Sequence, residues 1–573
     1  MNKSSIVSAA SVFLVAILLL PNCLNLARGQ PEIPIIIGTT DSVESSLDPA
    51  NAYDFFGWQM IKALGSGLVE FIPGSIAGPD NITASLATSW QVSDDAKVWT
   101  FNLRHGVMFD DGTEFNATHV KYSFDRGMGI ADLDGAFVGI GYSDLIDNVT
   151  VTDTYTVTFF LKVPFAPFLS ILALPPSYIV DPKYAPFNLL VSYVDGNPRA
   201  SNPLGLGPYS LKNWTRIAGK DYEMQLEANP NYWNASGGYP RTQNIAIKFL
   251  ENSTGLENAI TTGDIDIAYR QLDSDVIDTI KAMGTLHVWE EVSPFIQYLV
   301  FQEKYAPFNV TEIRRAIGAS INRTAIVQTA FQGKAKELYS MIPQGMFSHT
   351  DAFKQLGDPN YTLTRQLLSD FGYNETNKLN FTLWYENSGR YPQSSQVTQA
   401  LKTSIEASGV ITVGTSGTDW PSYRTKRQNE EMEAFIMGWY PDYTDPDDYT
   451  YPFVHSLGGS WLHHNYNSSQ MDQLAESART NISTSERSML YDQIQNLTVD
   501  DSPVIPIFQG MQYCVTKLDI EAVYLDITEF LRYSYIVPEF AVPTIMTVLM
   551  TSVLIVVLLN RLLSNRRRFI HPS

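Results

Sequence analysis

The residues best suited to binding chemistry lie in one twelve-residue stretch, 438–449, which contains four aspartates, three tyrosines, one tryptophan and two prolines. The prolines exclude a continuous helix and favour a rigid loop. Residues 434–437, just before this stretch, have the composition of a short buried strand. Aromatic faces beside a carboxylate suit a pocket for a cationic, partly apolar ligand. The alternative is that the aspartates form turns and the aromatic rings fill a gap in the surface.

Patterns typical of enzymes are missing from the sequence. It has no Gly-X-Ser-X-Gly elbow, no His-Glu-X-X-His pair and no phosphate-binding P-loop. The adjacent His463 and His464 are poorly spaced to chelate one metal ion. The acidic run 442–448 lacks the glycine and the final glutamate of a calcium-binding loop, and Pro446 interrupts it. We therefore expect a protein that is not an enzyme and that needs neither a metal nor another cofactor.

The composition describes a large folded protein of more than one domain. The chain has 573 residues, of which 44% are hydrophobic and 17% are charged, and this length exceeds what a single simple core accommodates. Its net charge of -21 argues against nucleic acid as a partner, because proteins that bind nucleic acid present basic patches.

The N-terminus carries the pattern of a secretory signal. Lys3 precedes the apolar run 6–20, which is short for a membrane span but typical of a signal peptide. Small residues at Ala27 and Gly29 predict cleavage before Gln30. Cys23 raises the alternative of a lipoprotein, but the residues before it match a lipidation signal poorly.

The C-terminus carries the pattern of a membrane anchor. Residues 540–559 form an uncharged run long enough to cross a bilayer. Four arginines follow this run and place the tail inside the cell, namely Arg561, Arg566, Arg567 and Arg568. The body of the protein is therefore predicted to be extracellular, on a single-pass anchor in the cell membrane. The alternative, a buried core helix, fits the flanking arginines less well.

Cysteine usage and glycosylation motifs agree with a secreted protein that has no disulfide. Cys514 is the one cysteine left after the predicted cleavage, so no intramolecular disulfide can form. Asn-X-Ser/Thr motifs that predict an N-glycosylated surface begin at Asn81, Asn116, Asn148, Asn213, Asn234, Asn252, Asn309, Asn322, Asn360, Asn374, Asn380, Asn467, Asn481 and Asn496.

Hydrophobic periodicity predicts strands and helices mixed along the whole chain. Predicted strands cover 33–38, 99–103, 149–151, 156–161, 245–249, 293–301, 381–385 and 504–508. Predicted helices cover 54–68 and 394–407, and others start at Asn116, at a capping box of Asn309 with Glu312, and at a cap formed by Ser483 with Glu486. We expect strand 293–301 to cross into a second lobe.

Seven segments in order resemble family 5 of the extracytoplasmic solute-binding proteins, the peptide, dipeptide and nickel class that serves ABC importers. They are Ala87-Thr-Ser-Trp90 with 97–104, Val107-Met-Phe-Asp-Asp-Gly112, Gly207-Pro-Tyr209, Asn229-Pro-Asn-Tyr-Trp233, Pro307-Phe-Asn with Arg314-Arg-Ala-Ile317 and Ile321-Asn-Arg323, Gly438-Trp439 with Asp442-Tyr443 and Asp445-Pro446, and Ser502-Pro-Val-Ile-Pro-Ile-Phe508. The resemblance covers residues 33–523. The C-terminal Val537-Pro-Glu-Phe540 also resembles archaeal sorting signals, which suggests an archaeal-type membrane-anchored form.

The resemblance implies an α/β fold of two lobes, the type II periplasmic-binding-protein-like fold, that closes over its ligand about a hinge. It implies that Asp442 holds the α-ammonium of a peptide and that Arg390 holds its carboxylate. It also implies a cleft lined by Trp439, Tyr440 and Tyr443, into which Tyr53 reaches. Asp445, Asp447 and Asp448 are interpreted instead as turn and loop residues.

The predicted organisation follows from the two terminal signals and this resemblance. The predicted parts are a signal peptide 1–29, lobe I with an inserted subdomain 30–292, lobe II 293–501, a return segment 502–535, a transmembrane anchor 536–562 and a cytoplasmic tail 563–573. We expect a monomeric receptor that delivers peptides to an ABC permease and its ATPase. The alternatives are an oligosaccharide-binding or nickel-chelate-binding protein, the latter through His455, and a surface-layer or adhesion protein that reuses the fold.

Overall fold

The computed structural model describes residues 33–130, 135–270 and 272–538. The predicted signal peptide 1–29, the apolar run 540–559 and the tail 563–573 lie outside these residues. Across the three described ranges, the helices are all too short or too polar to cross a membrane.

Strands and helices alternate along the described chain, as the periodicity predicts. The strands are β1 (Ile35–Thr39), β2 (Val69–Phe71), β3 (Ile82–Ala84), β4 (Ala87–Val92), β5 (Val98–Leu103), β6 (Ile146–Asp153), β7 (Thr156–Leu161), β8 (Tyr209–Ile217), β9 (Lys220–Ala228), β10 (Asn244–Phe249), β11 (Ile267–Tyr269), β12 (Leu286–Phe301), β13 (Lys336–Glu337), β14 (Leu379–Glu386), β15 (Ile411–Thr418), β16 (Ala434–Trp439), β17 (Val504–Lys517), β18 (Ile520–Glu521) and β19 (Val537–Pro538). The helices are α1 (Phe55–Leu64), α2 (Ala117–Ile130), α3 (Ala136–Gly139), α4 (Tyr142–Leu145), α5 (Phe168–Leu172), α6 (Ser253–Thr262), α7 (Ser274–Met283), α8 (Thr311–Ala319), α9 (Arg323–Phe331), α10 (Tyr361–Ser369), α11 (Ser394–Glu406), α12 (Trp420–Gln428), α13 (Tyr451–Val454), α14 (Ser469–Thr480) and α15 (Thr484–Asp501).

One mixed sheet runs through both halves of the molecule. Its strand order is β15-β14-β16-β12-β17-β11-β1-β10-β9-β8, and β13 pairs with β17 beside this path. The parallel pairs are β14 with β15 and β16 at one end, and β1 with β10 and β11 nearer the other. Parallel pairs need crossover helices, which explains why helices separate these strands in sequence.

The two long central strands connect the two halves of the sheet. β12 and β17 are antiparallel and pair from Leu286 with Lys517 to Val300 with Val504. Their register shifts between Val292 and Ile296, so the ladder is interrupted near its middle. An irregularity of this kind bends the strand locally and increases its twist.

A second sheet forms a smaller unit, with strand order β4-β5-β7-β6. Side chains alternate between the two faces of β5, and Trp99, Phe101 and Leu103 lie on the buried face, as predicted. Helix α2 packs on this sheet through Phe124, whose ring lies 4.8 Å from that of Phe159 between centroids.

Helix starts agree with some predictions and not with others. The helix predicted over 54–68 begins as expected but ends at Leu64, and Asp54 supplies a cap that we did not predict, its Oδ1 accepting a hydrogen bond from the Gly57 backbone N–H at 2.6 Å. Ser483 caps α15 through the Glu486 N–H, as predicted. The capping box at Asn309 is wrong, because α8 begins at Thr311 and its N-cap, Val310, forms no side-chain cap.

Candidate functional site

The acidic, aromatic stretch follows directly on strand β16. This strand ends at Trp439, and a loop then leads into a short 3₁₀ helix, Pro446–Tyr449. Asp445 caps that helix, with its Oδ1 accepting from the Asp447 N–H at 2.9 Å. The chain therefore leaves strand β16 and enters the 3₁₀ helix within seven residues, and Asp442 lies in the loop between them.

Asp448 stabilises this loop through hydrogen bonds to Asp442 and Trp439. Its Oδ2 accepts hydrogen bonds from the Asp442 backbone N–H at 2.7 Å and from the Trp439 indole N–H at 3.3 Å. Asp448 is buried, and this burial, together with the nearby Asp442 carboxylate, raises its pKa well above the usual range. These bonds hold the backbone of Asp442 and the ring of Trp439 and do not involve the Asp442 carboxylate.

The other two aspartates anchor the same stretch through buried ion pairs. Asp445 receives two hydrogen bonds from Arg487, the shorter at 2.6 Å, and both side chains are at most 2% exposed. Asp447 pairs with Arg479 at 2.7 Å. Their positions in turns agree with the sequence interpretation, but the arginines lie 32 and 42 residues further along the chain, so the pairs could not be inferred locally.

A cavity of about 400 Å³ opens beside Asp442. Its lining residues are Arg390, Tyr391, Trp420, Arg427, Met437, Gly438, Trp439, Tyr440, Asp442 and Trp461. The volume falls within the range of about 300–1,000 Å³ that small-molecule sites occupy. Four of the six predicted site residues, Arg390, Trp439, Tyr440 and Asp442, thus share one cavity.

Tyr53 reaches the same carboxylate from a different part of the chain. Its hydroxyl donates a hydrogen bond to Asp442 Oδ1 at 2.5 Å. Burial raises the pKa of Asp442 above the usual value for aspartate, and the hydrogen bond from Tyr53 opposes that rise. The carboxylate is thus partly removed from water while keeping a single neutral donor, an arrangement that favours a cation as a further partner.

Tyr443, which we expected in the cleft, does not line this cavity. Its side chain is buried, its ring lies 6.0 Å from that of Phe165, and its hydroxyl donates to Asp447. Asp447 lies inside the protein in its ion pair with Arg479, and the hydrogen bond to Asp447 holds the Tyr443 side chain there as well.

Arg390 lines the same cavity as Asp442. Its guanidinium stacks over the Trp420 ring at 4.3 Å, and its backbone N–H donates to Glu386 Oε2 at 3.0 Å. Sequence reasoning missed Tyr391, Arg427 and Trp461. The available signal for Arg427 was its seven-residue spacing from Trp420 in α12, which places both side chains on one helix face.

A second cavity of about 290 Å³ adjoins the first and shares Tyr440 with it. Its lining includes Arg270, Ser293, Lys334, Gly510 and Glu529, so it lies against the middle of β12 and β17. The Tyr440 ring lies 4.9 Å from that of Phe295 and 5.5 Å from that of Phe55. Tyr440 therefore separates two spaces that a longer ligand could fill together.

His455 is already engaged by protein groups. Its Nδ1 accepts from the backbone N–H groups of Leu457 and Gly458, and its Nε2 lies 3.3 Å from Glu476 Oε1. Residues 33–130, 135–270 and 272–538 contain no cluster of three His, Cys, Asp or Glu side chains that could hold a metal ion.

Comparison with known proteins places this geometry in context. Residues 81–461 match the model of bacterial extracellular solute-binding proteins, family 5 middle. The probable D,D-dipeptide-binding periplasmic protein of Escherichia coli is 28% identical over 505 residues, which cover 87% of this chain and 92% of the relative.

Solved structures share the overall fold. HbpA2 from Haemophilus parasuis superposes with a TM-score of 0.77 at 19% identity, covering 89% of this chain and all of that one. The periplasmic binding protein DppA from Helicobacter pylori, in complex with the peptide STSA, superposes with a TM-score of 0.66 at 23% identity, covering 88% and 98%. These likenesses confirm the predicted two-lobed α/β fold.

Proposed function

The chain belongs to family 5 of the bacterial extracellular solute-binding proteins, and we propose that it captures short peptides between its lobes and delivers them to the permease of an ABC importer. This is a family of binding proteins, not of enzymes. Capture and lobe closure constitute the mechanism, and the importer's ATPase supplies the energy.

The observation that carries the proposal is the pairing of opposite charges in one cavity. Asp442 lines it as a partly buried carboxylate, and Arg390 lines it as a cation held flat against Trp420. A peptide carries an ammonium at one end and a carboxylate at the other, so each end finds an opposite charge. Hydrogen bonds between ionised partners are about twice as strong as neutral ones.

Aromatic rings complete the fit for a peptide backbone and side chains. Trp439, Tyr440 and Tyr391 line the cavity together with the two charged groups. Rings alone would serve a sugar equally well, but a neutral oligosaccharide gives the partly buried Asp442 no cation. A nickel chelate would need a ligand such as His455, whose two nitrogens are already engaged. The charge pattern therefore favours a peptide over both alternatives.

Exclusion of water from Asp442 favours the closed state once a ligand is bound. Asp442 meets Tyr53, which precedes helix α1, while Asp442 itself follows β16 of the other half of the sheet. A ligand ammonium placed between them neutralises the carboxylate as closure excludes water, and the attraction strengthens as the local dielectric falls. Bending at the irregular middle of β12 and β17 would permit the movement.

The aromatic and charged cavity also makes a purely structural role less favoured than binding, since unpaired charges facing a cavity destabilise a protein that never fills it. A surface-layer or adhesion protein reusing this fold would not need Asp442 and Arg390 in the same cavity.

Anchoring at the membrane is part of the proposal. We place lobe I at 30–292, lobe II at 293–501 and the return segment at 502–535, all outside the cell as one monomer that residues 540–559 hold in the membrane. The support is the uncharged run with its four following arginines. Truncation after residue 538 should release a peptide-binding protein from the membrane fraction, and retention of the truncated chain there would contradict this anchor.

Calorimetric titration with di- and trialanine tests the proposed function. Each peptide is compared with its N-acetylated and its C-amidated form, which remove one charge at a time. The proposal predicts that acetylation weakens binding at least about thirtyfold, corresponding to a loss of about 2 kcal/mol for an unpaired buried charge. Binding of an oligosaccharide without binding of any peptide would overturn the proposal.

A further inference from the structure

Arg427 is a buried cation that faces the cavity without an ionic partner. It lies in α12, is 8% exposed, and lines the same cavity as Asp442. Two of its guanidinium nitrogens, Nε and Nη1, have no hydrogen-bond partner. The other buried arginines of the described residues each have a carboxylate within 4 Å, as Arg487 has Asp445, whereas Arg427 has none.

The surroundings of Arg427 are aromatic and do not neutralise it. Its guanidinium lies 4.8 Å from the centre of the Trp461 ring. Burial lowers the pKa of Arg427, and the groups that counter this most are the hydroxyls of Tyr298, Tyr391 and Tyr423, not a carboxylate. Within the described ranges, no Asp or Glu oxygen lies in ion-pair distance of it.

Arg390 and Arg427 both lie close to Tyr391, which lines the cavity with them. Both are close enough to the Tyr391 hydroxyl to counter the rise in its pKa that burial causes. Arg390 stacks on Trp420, and Arg427 projects from the same helix two turns further on. Two guanidinium groups therefore converge beside one tyrosine.

The charges lining the cavity are two cations and one carboxylate, from Arg390, Arg427 and Asp442. A peptide with neutral side chains offers one carboxylate and one ammonium and leaves one guanidinium unpaired. Guanidinium stays protonated in proteins, and a buried charge without a partner is strongly destabilising. A ligand with two carboxylates and one ammonium would balance all three groups.

We propose that Arg427 binds a second ligand carboxylate beside the one at Arg390, so that the preferred ligands are short peptides with an acidic side chain. This inference rests on the proposed peptide-binding function and narrows it to one substrate class. The planar guanidinium can donate two parallel hydrogen bonds to a carboxylate from its unpartnered Nε and from one Nη.

The test is calorimetric titration with two matched pairs of peptides, Ala-Glu against Ala-Gln and Ala-Ala-Glu against Ala-Ala-Gln. Each pair differs by one charge at almost constant shape. The wild-type protein should prefer the acidic member at least tenfold. In Arg427→Gln this preference should vanish, so that the two members of each pair bind within about threefold of each other. Arg424→Gln, an exposed change in the same helix, serves as the matched control and should keep the preference.

Several outcomes would overturn the inference, and they are distinguishable from failure of the proposed function. Equal affinities of the wild type for both members of a pair, or a preference that survives in Arg427→Gln, contradict the role of Arg427 while peptide binding stands. Binding of no peptide at all contradicts both. Should Arg427→Gln fail to fold, Arg427→Lys keeps the charge without the planar fork, and an undiminished preference there contradicts bidentate binding.

Discussion

Replacing Asp445 with alanine should destabilise the loop that carries Asp442. Asp445 is fully buried, and its two carboxylate oxygens accept hydrogen bonds from the terminal nitrogens of Arg487 at 2.6 and 3.2 Å. Arg487 also donates to the Ala478 carbonyl and the Tyr491 hydroxyl, which hold it in place after the change. The substitution therefore leaves a buried guanidinium without its counter-ion and removes the cap of the 3₁₀ helix Pro446–Tyr449.

The expected loss in free energy of unfolding is about 4 kcal/mol. Breaking a buried ion pair by removing one partner costs about 3–5 kcal/mol, because the remaining charge stays buried and uncompensated. Loss of a helix cap adds about 1 kcal/mol, which places the upper end of the range near 6 kcal/mol.

Urea unfolding followed by circular dichroism measures this loss. Asp445→Asn is a matched control that keeps the shape and the capping oxygen but removes the charge, and it should be intermediate. Glu290→Ala breaks a pair whose side chains are 42% and 47% exposed, with Lys281 at 2.8 Å, and should cost less than about 1 kcal/mol. A loss in Asp445→Ala as small as in Glu290→Ala would refute the reasoning.

Three further changes test other parts of the site and core. A methyl group on Gly438 would lie 2.6 Å from the Phe295 ring, so Gly438→Ala should cost about 1–3 kcal/mol of stability and weaken peptide binding in calorimetry. Burial lowers the pKa of His464 to about 4, whereas the unfolded chain titrates near 6.5. Because His464 binds a proton at a higher pH in the unfolded chain than in the folded protein, the wild type loses stability as the pH falls from 7 to 4. Urea unfolding at each pH measures this loss, which should be smaller by roughly 3 kcal/mol in His464→Gln. Tyr53→Phe removes the hydrogen bond that opposes the rise in the pKa of Asp442, so peptide affinity measured against pH should begin to fall at a higher pH than in the wild type.

The sequence predicted the fold where periodicity and composition act locally. The alternation of Trp99, Phe101 and Leu103 follows directly from a strand with one buried face, and the apolar run before Trp439 is strand β16. The predicted start of α8 is wrong because Asn309 and Glu312 have the spacing of a capping box, while the helix begins at Thr311 without a side-chain cap.

The part of the candidate site that was predictable consists of residues that are neighbours in sequence. Trp439, Tyr440 and Asp442 are neighbours in sequence, so their shared cavity depends on one loop. Arg427 and Trp461 reach the cavity from other elements, and their roles depend on packing that no local pattern encodes. The inward turn of Tyr443 depends in the same way on the distant Arg479.

The central claim is that Asp442 binds the ammonium group of a peptide, and a double-mutant cycle tests it most directly. Trialanine and N-acetyltrialanine are titrated into the wild-type protein and into Asp442→Asn, which keeps the shape of the side chain. We expect acetylation to weaken binding to the wild type at least about thirtyfold and to change binding to Asp442→Asn less than about threefold, a coupling of at least about 1.4 kcal/mol. Equal effects of acetylation in the two proteins would contradict this claim.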